Sequence, residues 1–207
     1  MTDPLAPGGG VDALVEHPPP DPMTLLRSWL LRAPALEVSD PMVVSLSTLG
    51  ADGTPSSRFV ALTDITDVGV VFATSAKGPK GRELAADRHV ALAAYWAATE
   101  QQYRIKGVVS VLEDAASDRD FAALPRAARA AAVVARQSAP VQSWAELDQA
   151  AQDLDDSGRE IERPAHWRSW LVTPTVMQFW SGSPTCVHRR LAYTRTGAGW
   201  TARALQP

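Results

Sequence analysis

Arg58, in "SSRFVALT", shares a strand face with the apolar Val60 and Leu62. An unpaired guanidinium is expensive to bury, so this side chain must meet an anion or lie at a rim. A core carboxylate would satisfy it as well as a ligand would. The stretch "VVFATSAKGPKGREL", Val70 to Leu84, ends a strand and opens a helix, with Thr74, Lys77 and Lys80 gathered at the junction. A helix start carries partial positive charge, so cations placed there call for an anion. Gly78 can cap, Pro79 suits the first helical position, and the free N–H groups of that turn complete a seat for a phosphate. Lysines that simply extend into water would leave the same trace in the sequence. The spacing is not that of a P-loop.

A second group is dispersed. Gln102 lies in "EQQYRI", Gln137 and Ser138 in "ARQSAP", and Trp180 and Arg190 in "FWSGSPTCVHRRL". Together they offer amides, a hydroxyl, an aromatic ring and a guanidinium, a set suited to a polar heterocycle on a phosphate tail. Trp180 taken alone fits a core position equally well. His17, His89, His166 and His188 have no second ligand at a metal-binding spacing, and no G-x-S-x-G nucleophile elbow is present.

The elements that must position these groups follow from periodicity. Residues 1–20 are rich in Pro and Gly and poor in periodic apolar residues, which predicts a flexible N-terminal arm, with one domain over 21–207. "DPMTLLRSWLLRA" predicts an amphipathic helix capped by Asp21, with Leu25, Leu26, Trp29 and Leu30 on one face. From Met42 the period becomes that of strands: a hairpin turning at Gly50 to Gly53, a third strand "GVVFATS", and a second hairpin from "HVALAAYW" and "QYRIKGVVSVLE". Ala-rich helical segments follow, broken at Pro125 and Pro140, before the chain returns to strands in "SWLVTPTVMQFW", "HRRLAYTR" and "GWTARAL". No strand–helix alternation of a parallel doubly wound sheet occurs, so the reading is a mainly β, antiparallel barrel decorated with helices.

Bulk properties narrow the partners. A net charge of −3 gives no global attraction to nucleic acid or anionic lipid. A single cysteine, Cys186, rules out an internal disulfide, and the N-terminus lacks the regions of a secretory signal, so the expected compartment is the cytoplasm and no membrane is involved.

"SSRFVALTD", "VVFATSAKGPKGREL", "YWAATEQQYRI", "ARQSAP" and "QFWSGSPTCVHRRLAY" occur in an order and spacing that resemble the pyridoxamine 5′-phosphate oxidase family, the FMN-binding split barrels. The resemblance implies a homodimer holding FMN at its subunit interface. Carried over by position, the cofactor set would be Arg58, Phe59, Val60 and the strand through Thr63, then Thr74, Lys80, Gln102, Gln137, Ser138, Trp180 and Arg190. The anion called for above would be the FMN phosphate. His188 is the candidate catalytic residue, as substrate contact or proton acceptor; a hydrogen bond across the barrel end is its alternative role.

The departures from the family pattern concern the substrate. Members that oxidise pyridoxamine phosphate hold its phosphate with a lysine, a tyrosine, an arginine and a serine where this chain has Thr63, Asp120, Leu124 and Ala128, and a substrate-side arginine before the late histidine is Cys186 here. Gly78 replaces a serine beside the phosphate lysine. The remaining cavity, expected to be lined by Leu124, Ala128, Ala131, Ala132 and Val133, would suit a flat apolar ring system. "DPM-x-x-LR-x-WL", Ala73 within "VVFAT" and the terminal "LQP" resemble the phenazine-biosynthesis (PhzG-type) branch. The implied activity is aromatisation of a reduced phenazine carboxylate, with hydride passing to FMN N5 and O2 as reoxidant. A related oxidase of another natural product, a pyridoxamine 5′-phosphate oxidase and a non-catalytic flavin binder are the alternatives.

Overall fold

The computed structural model describes residues 15–197 and 199–207; most of the expected N-terminal arm lies outside them. Helix α1 (Pro22–Arg32) begins where the sequence places a cap: the Asp21 Oδ1 accepts the Met23 N–H at 3.0 Å, and Pro22 occupies the first turn. Its apolar stripe buries Met23, Leu25, Leu26 and Trp29, as a 3.6-residue period requires.

The strands are β1 (Val43–Leu49), β2 (Pro55–Ile65), β3 (Val70–Ser75), β4 (His89–Trp96), β5 (Gln101–Val111), β6 (Trp167–Ser181), β7 (Arg189–Thr196) and β8 (Gly199–Leu205), all paired antiparallel. The sheet runs β3-β2-β1-β4-β5-β6-β7-β8, and β3 also pairs with β6, which closes six of the strands into a barrel. β6 pairs with β3 through its first half and with β7 through its second, so β7 and β8 extend the sheet beyond the barrel.

Alternation along the strands turns Val44 and Leu46, Leu92 and Trp96, and Tyr103 and Ile105 toward one core, which also takes in Trp29 of α1. Trp29 meets Phe179 edge-on at 5.2 Å and Trp96 at 6.1 Å between ring centroids. Trp29→Ala is expected to destabilise the protein by about 3–5 kcal/mol, the cost of emptying a fully packed aromatic site, measured by denaturant unfolding.

Contacts with the barrel begin before Asp21. Val15 packs on the core, and the Tyr193 hydroxyl donates to the Pro19 carbonyl at 3.1 Å. Burial, with Asp21 nearby, pushes the Tyr193 phenol up to about 12.

Among the described residues, four further α-helices decorate the barrel: α2 (Pro79–Ala86), α3 (Asp114–Ala122), α4 (Arg126–Val134) and α5 (Trp144–Asp156). A second core of Phe121, Ala130, Ile161 and Trp167 joins α3 and α4 to β6. Arg163 fastens α3, donating to Asp118 at 2.6 Å, to Asp114 at 2.8 Å and to the Trp167 carbonyl at 2.7 Å. Arg126 donates to the carbonyls of Asp155, Leu154 and Arg159, at 2.7, 3.1 and 2.9 Å, and so secures the C-terminal end of α5.

Candidate functional site

β1 and β2 place Thr48 and Arg58 beside α2. Thr48 continues the inward face of Val44 and Leu46, so its hydroxyl is buried. Arg58 donates to Glu83 at 2.7 Å, to Ser56 at 2.6 Å and to the Thr48 hydroxyl, and Thr48 in turn donates to the same Glu83 oxygen at 2.5 Å. Arg58 thus has the carboxylate partner that its sequence context left open. The Thr48 hydrogen bond, followed by Arg58 and Lys80, holds the Glu83 carboxyl below its ordinary value despite opposing burial. The stability this lowered value contributes is fully present above the unfolded carboxylate pKa of about 4.3. It is lost as pH falls through the lower folded value. Glu83→Gln should therefore flatten the acid limb of thermal stability below about pH 4.3, read by melting temperature against pH.

Lys80 lies near enough to Glu83 for their charges to interact. Its ammonium donates to the Thr74 hydroxyl at 3.1 Å, and Thr74 donates to Gln137 Oε1 at 3.2 Å. Desolvation, and then the Arg58 charge, lower the Lys80 pKa, while Glu83 opposes them. Two cations against one carboxylate leave a net positive seat, partly withdrawn from water, at the N-terminus of α2. Gly78 caps this helix without a side-chain hydrogen bond, which leaves its first N–H groups to an outside acceptor. Gly81 lets the helix dock: a Cβ there would strike the Ser75 carbonyl. The arrangement fits a phosphate, and with it a phosphorylated cofactor.

Gln137, like Ser75 and His166, lines two cavities. One, of about 320 Å³, is lined by Lys77, Gly78, Arg136, Ser138 and His166; the other, of about 260 Å³, by Ala73, Thr74, Ala132 and Trp167. Ser138 follows with a left-handed backbone, φ 62°. His166, read only as a scattered histidine, has its Nδ1 3.2 Å from the Ser75 hydroxyl.

The other sequence-derived residues lie elsewhere. Tyr95, Gln102, Trp180 and Arg190 are direct cross-strand partners in one row over β4, β5, β6 and β7. The His188 ring lies 4.9 Å from that of Trp180, and its Nδ1 accepts the Ser183 N–H at 3.2 Å. Thr74 pairs with Arg168 near the start of β6, whereas Trp180 lies roughly 40 Å further along the strand at its usual rise. One chain therefore brings Arg58, Thr74, Lys80 and Gln137 together and holds Gln102, Trp180, Arg190 and His188 apart from them. On β2, Phe59 is 76% exposed, Val60 half-buried and Thr63 exposed.

Near α3, Thr63 donates to Asp120 at 3.4 Å, and Ser169 donates to the same carboxylate oxygen at 2.5 Å. The residues of the expected apolar lining differ in burial. Leu124 and Ala132 pack on the second core, whereas Ala128, Ala131 and Val133 are exposed. Ala130 is the buried residue of α4, so helical periodicity turns its neighbours outward.

Sequence reasoning missed Glu83 and Thr48. The available signals were a carboxylate three residues after Lys80 and a hydroxyl on an otherwise apolar strand face. Among the described residues, no three His, Cys, Asp or Glu side chains gather as metal ligands, and no helix is long and apolar enough to cross a membrane.

Residues 35–156 match the family model described as pyridoxamine 5′-phosphate oxidase, and residues 167–207 match that of the pyridoxine 5′-phosphate oxidase C-terminal dimerisation region. The chain is 40% identical over 190 residues to a pyridoxine/pyridoxamine 5′-phosphate oxidase of Anaeromyxobacter dehalogenans, covering 91% of this chain and 96% of that one. A protein of the same name from Thermosynechococcus vestitus is 39% identical over 188 residues, covering 90% and 89%. Among solved structures, PhzG from Burkholderia lata 383, crystallised with tetrahydrophenazine-1-carboxylic acid, superposes with a TM-score of 0.91 at 34% identity over 94% of this chain and 96% of that one. An FMN-binding protein of Nostoc punctiforme shares the fold at a TM-score of 0.73 and 19% identity, covering 89% and 96%.

Proposed function

The chain belongs to the pyridoxamine 5′-phosphate oxidase family of FMN-dependent oxidases, and from that premise we propose that its own reaction is the aromatisation of a reduced phenazine carboxylate. The observation that carries this reading is the hydrogen-bonded set Thr63, Asp120 and Ser169. It stands where the sequence resemblance places two of the groups that hold a substrate phosphate, and a carboxylate there repels a dianion. Leu124, Ala128 and Cys186 remove the remaining donors. The tetrahydrophenazine-1-carboxylic acid in the PhzG structure is the corresponding substrate class.

Arg58 and Lys80 would hold the FMN phosphate, with Thr74, Gln137 and Ser138 around it and the β2 strand from Arg58 to Thr63 along the cofactor. Gln102, Trp180 and Arg190 would come from the partner of a homodimer, because one chain keeps the two groups at opposite ends of β6. FMN supplies the hydride acceptor, and O2 is the proposed final oxidant. His188 uses Nδ1 to accept the Ser183 N–H, so the neutral ring carries its proton on Nε2. It then serves as a hydrogen-bond donor to substrate rather than as a proton acceptor.

The names of the Anaeromyxobacter and Thermosynechococcus proteins favour a second reading, oxidation of pyridoxamine 5′-phosphate. Aerobic incubation of the purified protein with each substrate, followed by chromatography, separates the two. Formation of an aromatic phenazine carboxylate supports the first reading, and formation of pyridoxal 5′-phosphate alone supports the second.

A further inference from the structure

We infer that Asp120 distinguishes the reduced ring from its aromatic product: its free carboxylate oxygen accepts a ring N–H that a dihydrophenazine has and the oxidised ring lacks. The inference rests on the proposed oxidation of a phenazine carboxylate. Helix α3 carries the aspartates Asp114, Asp118 and Asp120, and the first two are neutralised. Asp114 meets Arg163 and Arg168, each at 2.8 Å, and Asp118 meets Arg163 at 2.6 Å. Asp120 pairs with no cation among the described residues. Its Oδ2 accepts both hydroxyls, Ser169 at 2.5 Å and Thr63 at 3.4 Å, while its Oδ1 accepts neither. A half-buried carboxylate with one oxygen left over calls for a donor.

The surroundings fix that oxygen in place. Ser169 is fully buried, and its N–H donates at 3.1 Å to the hydroxyl of Ser117, which is also fully buried. Ser117 and Asp120 share a side of α3 at i and i+3, so a single serine of β6 grips the helix at two points. Thr63 and Ser169 belong to the strands that flank β3, and Ala73 of β3 is the cross-strand partner of Ser169. Ala73 also lines the cavity of about 260 Å³ shared with Thr74 and Gln137. The acceptor is therefore anchored beside the strand that supplies Thr74 to the phosphate seat. Substrate chemistry provides the donor. A ring nitrogen of a dihydrophenazine carries a proton, and the same nitrogen in the aromatic ring carries a lone pair. Facing a carboxylate oxygen, the first makes a charge-assisted hydrogen bond and the second sets a lone pair against negative charge. Oxidation turns attraction into repulsion at one atom, so the site favours substrate over product.

The test compares dissociation constants under conditions where no turnover occurs. A dihydrophenazine carboxylate is titrated anaerobically into protein whose FMN has been reduced beforehand, and the corresponding aromatic phenazine carboxylate into protein with oxidised FMN. Asp120→Asn replaces the charged acceptor by a neutral amide of the same shape. It should bind the dihydro compound about tenfold more weakly than wild type and the aromatic compound at least as tightly. Asp120→Ala, which deletes the acceptor outright, should show the same opposition and serves if the asparagine variant fails to fold. An equal change for the two ligands, or no loss for the dihydro compound, overturns the inference and leaves the proposed reaction standing. Wild type that binds neither compound overturns the proposed reaction, and the inference with it.

Discussion

Lys80→Ala and Arg58→Ala should each lower FMN affinity by at least about tenfold, the effect of losing a charge-assisted hydrogen bond of about 1.5–3 kcal/mol. The two losses differ in kind. Lys80→Ala removes an ammonium that desolvation and Arg58 already destabilise, so the apoprotein should tolerate the change and the deficit should appear in binding. Arg58→Ala also leaves the Glu83 carboxylate, 17% exposed, without its guanidinium partner, beside the position proposed for the phosphate. It should therefore reduce both stability and affinity. Arg58→Lys should not restore either, because one ammonium cannot reproduce the fork that reaches Glu83, Thr48 and Ser56. Equilibrium dialysis against FMN, with melting temperatures of the apoproteins, measures both. Variants that purify fully loaded with flavin would contradict the assignment.

The second large effect concerns substrate choice. Thr63→Lys together with Asp120→Asn should raise kcat/KM for pyridoxamine 5′-phosphate by at least about tenfold, since it supplies one charge-assisted contact and removes one repulsion. Thr63→Lys alone should do little. Thr63 already reaches Asp120 at 3.4 Å, so a new ammonium there would pair with that carboxylate before it met a substrate. Asp120→Asn alone removes the repulsion but adds no cation. The double change should exceed the sum of the single ones, a non-additivity expected of groups in contact. Steady-state kinetics of the three variants tests this; a double variant no better than Asp120→Asn would contradict it.

Much of the architecture was legible because it is local. Alternation in "MVVSLSTL" and "HVALAAYW", the turn at Gly50 to Gly53 and the Asp21 cap with Pro22 depend on neighbours in the chain, and they became β1, β4, the first hairpin and α1. Lys80 and Thr74 were legible for the same reason, lying six positions apart on a strand and the helix that follows it. What escaped was long-range. Glu83 reaches Arg58 across 25 positions, and Thr48 reaches Glu83 across 35. No periodicity encodes these pairings. Within the expected apolar lining, Leu124 precedes the Pro125 break and packs with Phe121, whereas Ala128 and Ala131 follow it on the outward side of α4. Register along β6 set the distance between Thr74 and Trp180, and register depends on the whole sheet.

The most direct test of the central claim is an anaerobic titration of the FMN-loaded protein, followed by the visible flavin absorbance. A dihydrophenazine carboxylate should bleach the flavin at near-stoichiometric amounts, while micromolar pyridoxamine 5′-phosphate leaves it oxidised. Flavin that stays oxidised with the phenazine compound and bleaches with pyridoxamine 5′-phosphate would contradict the account.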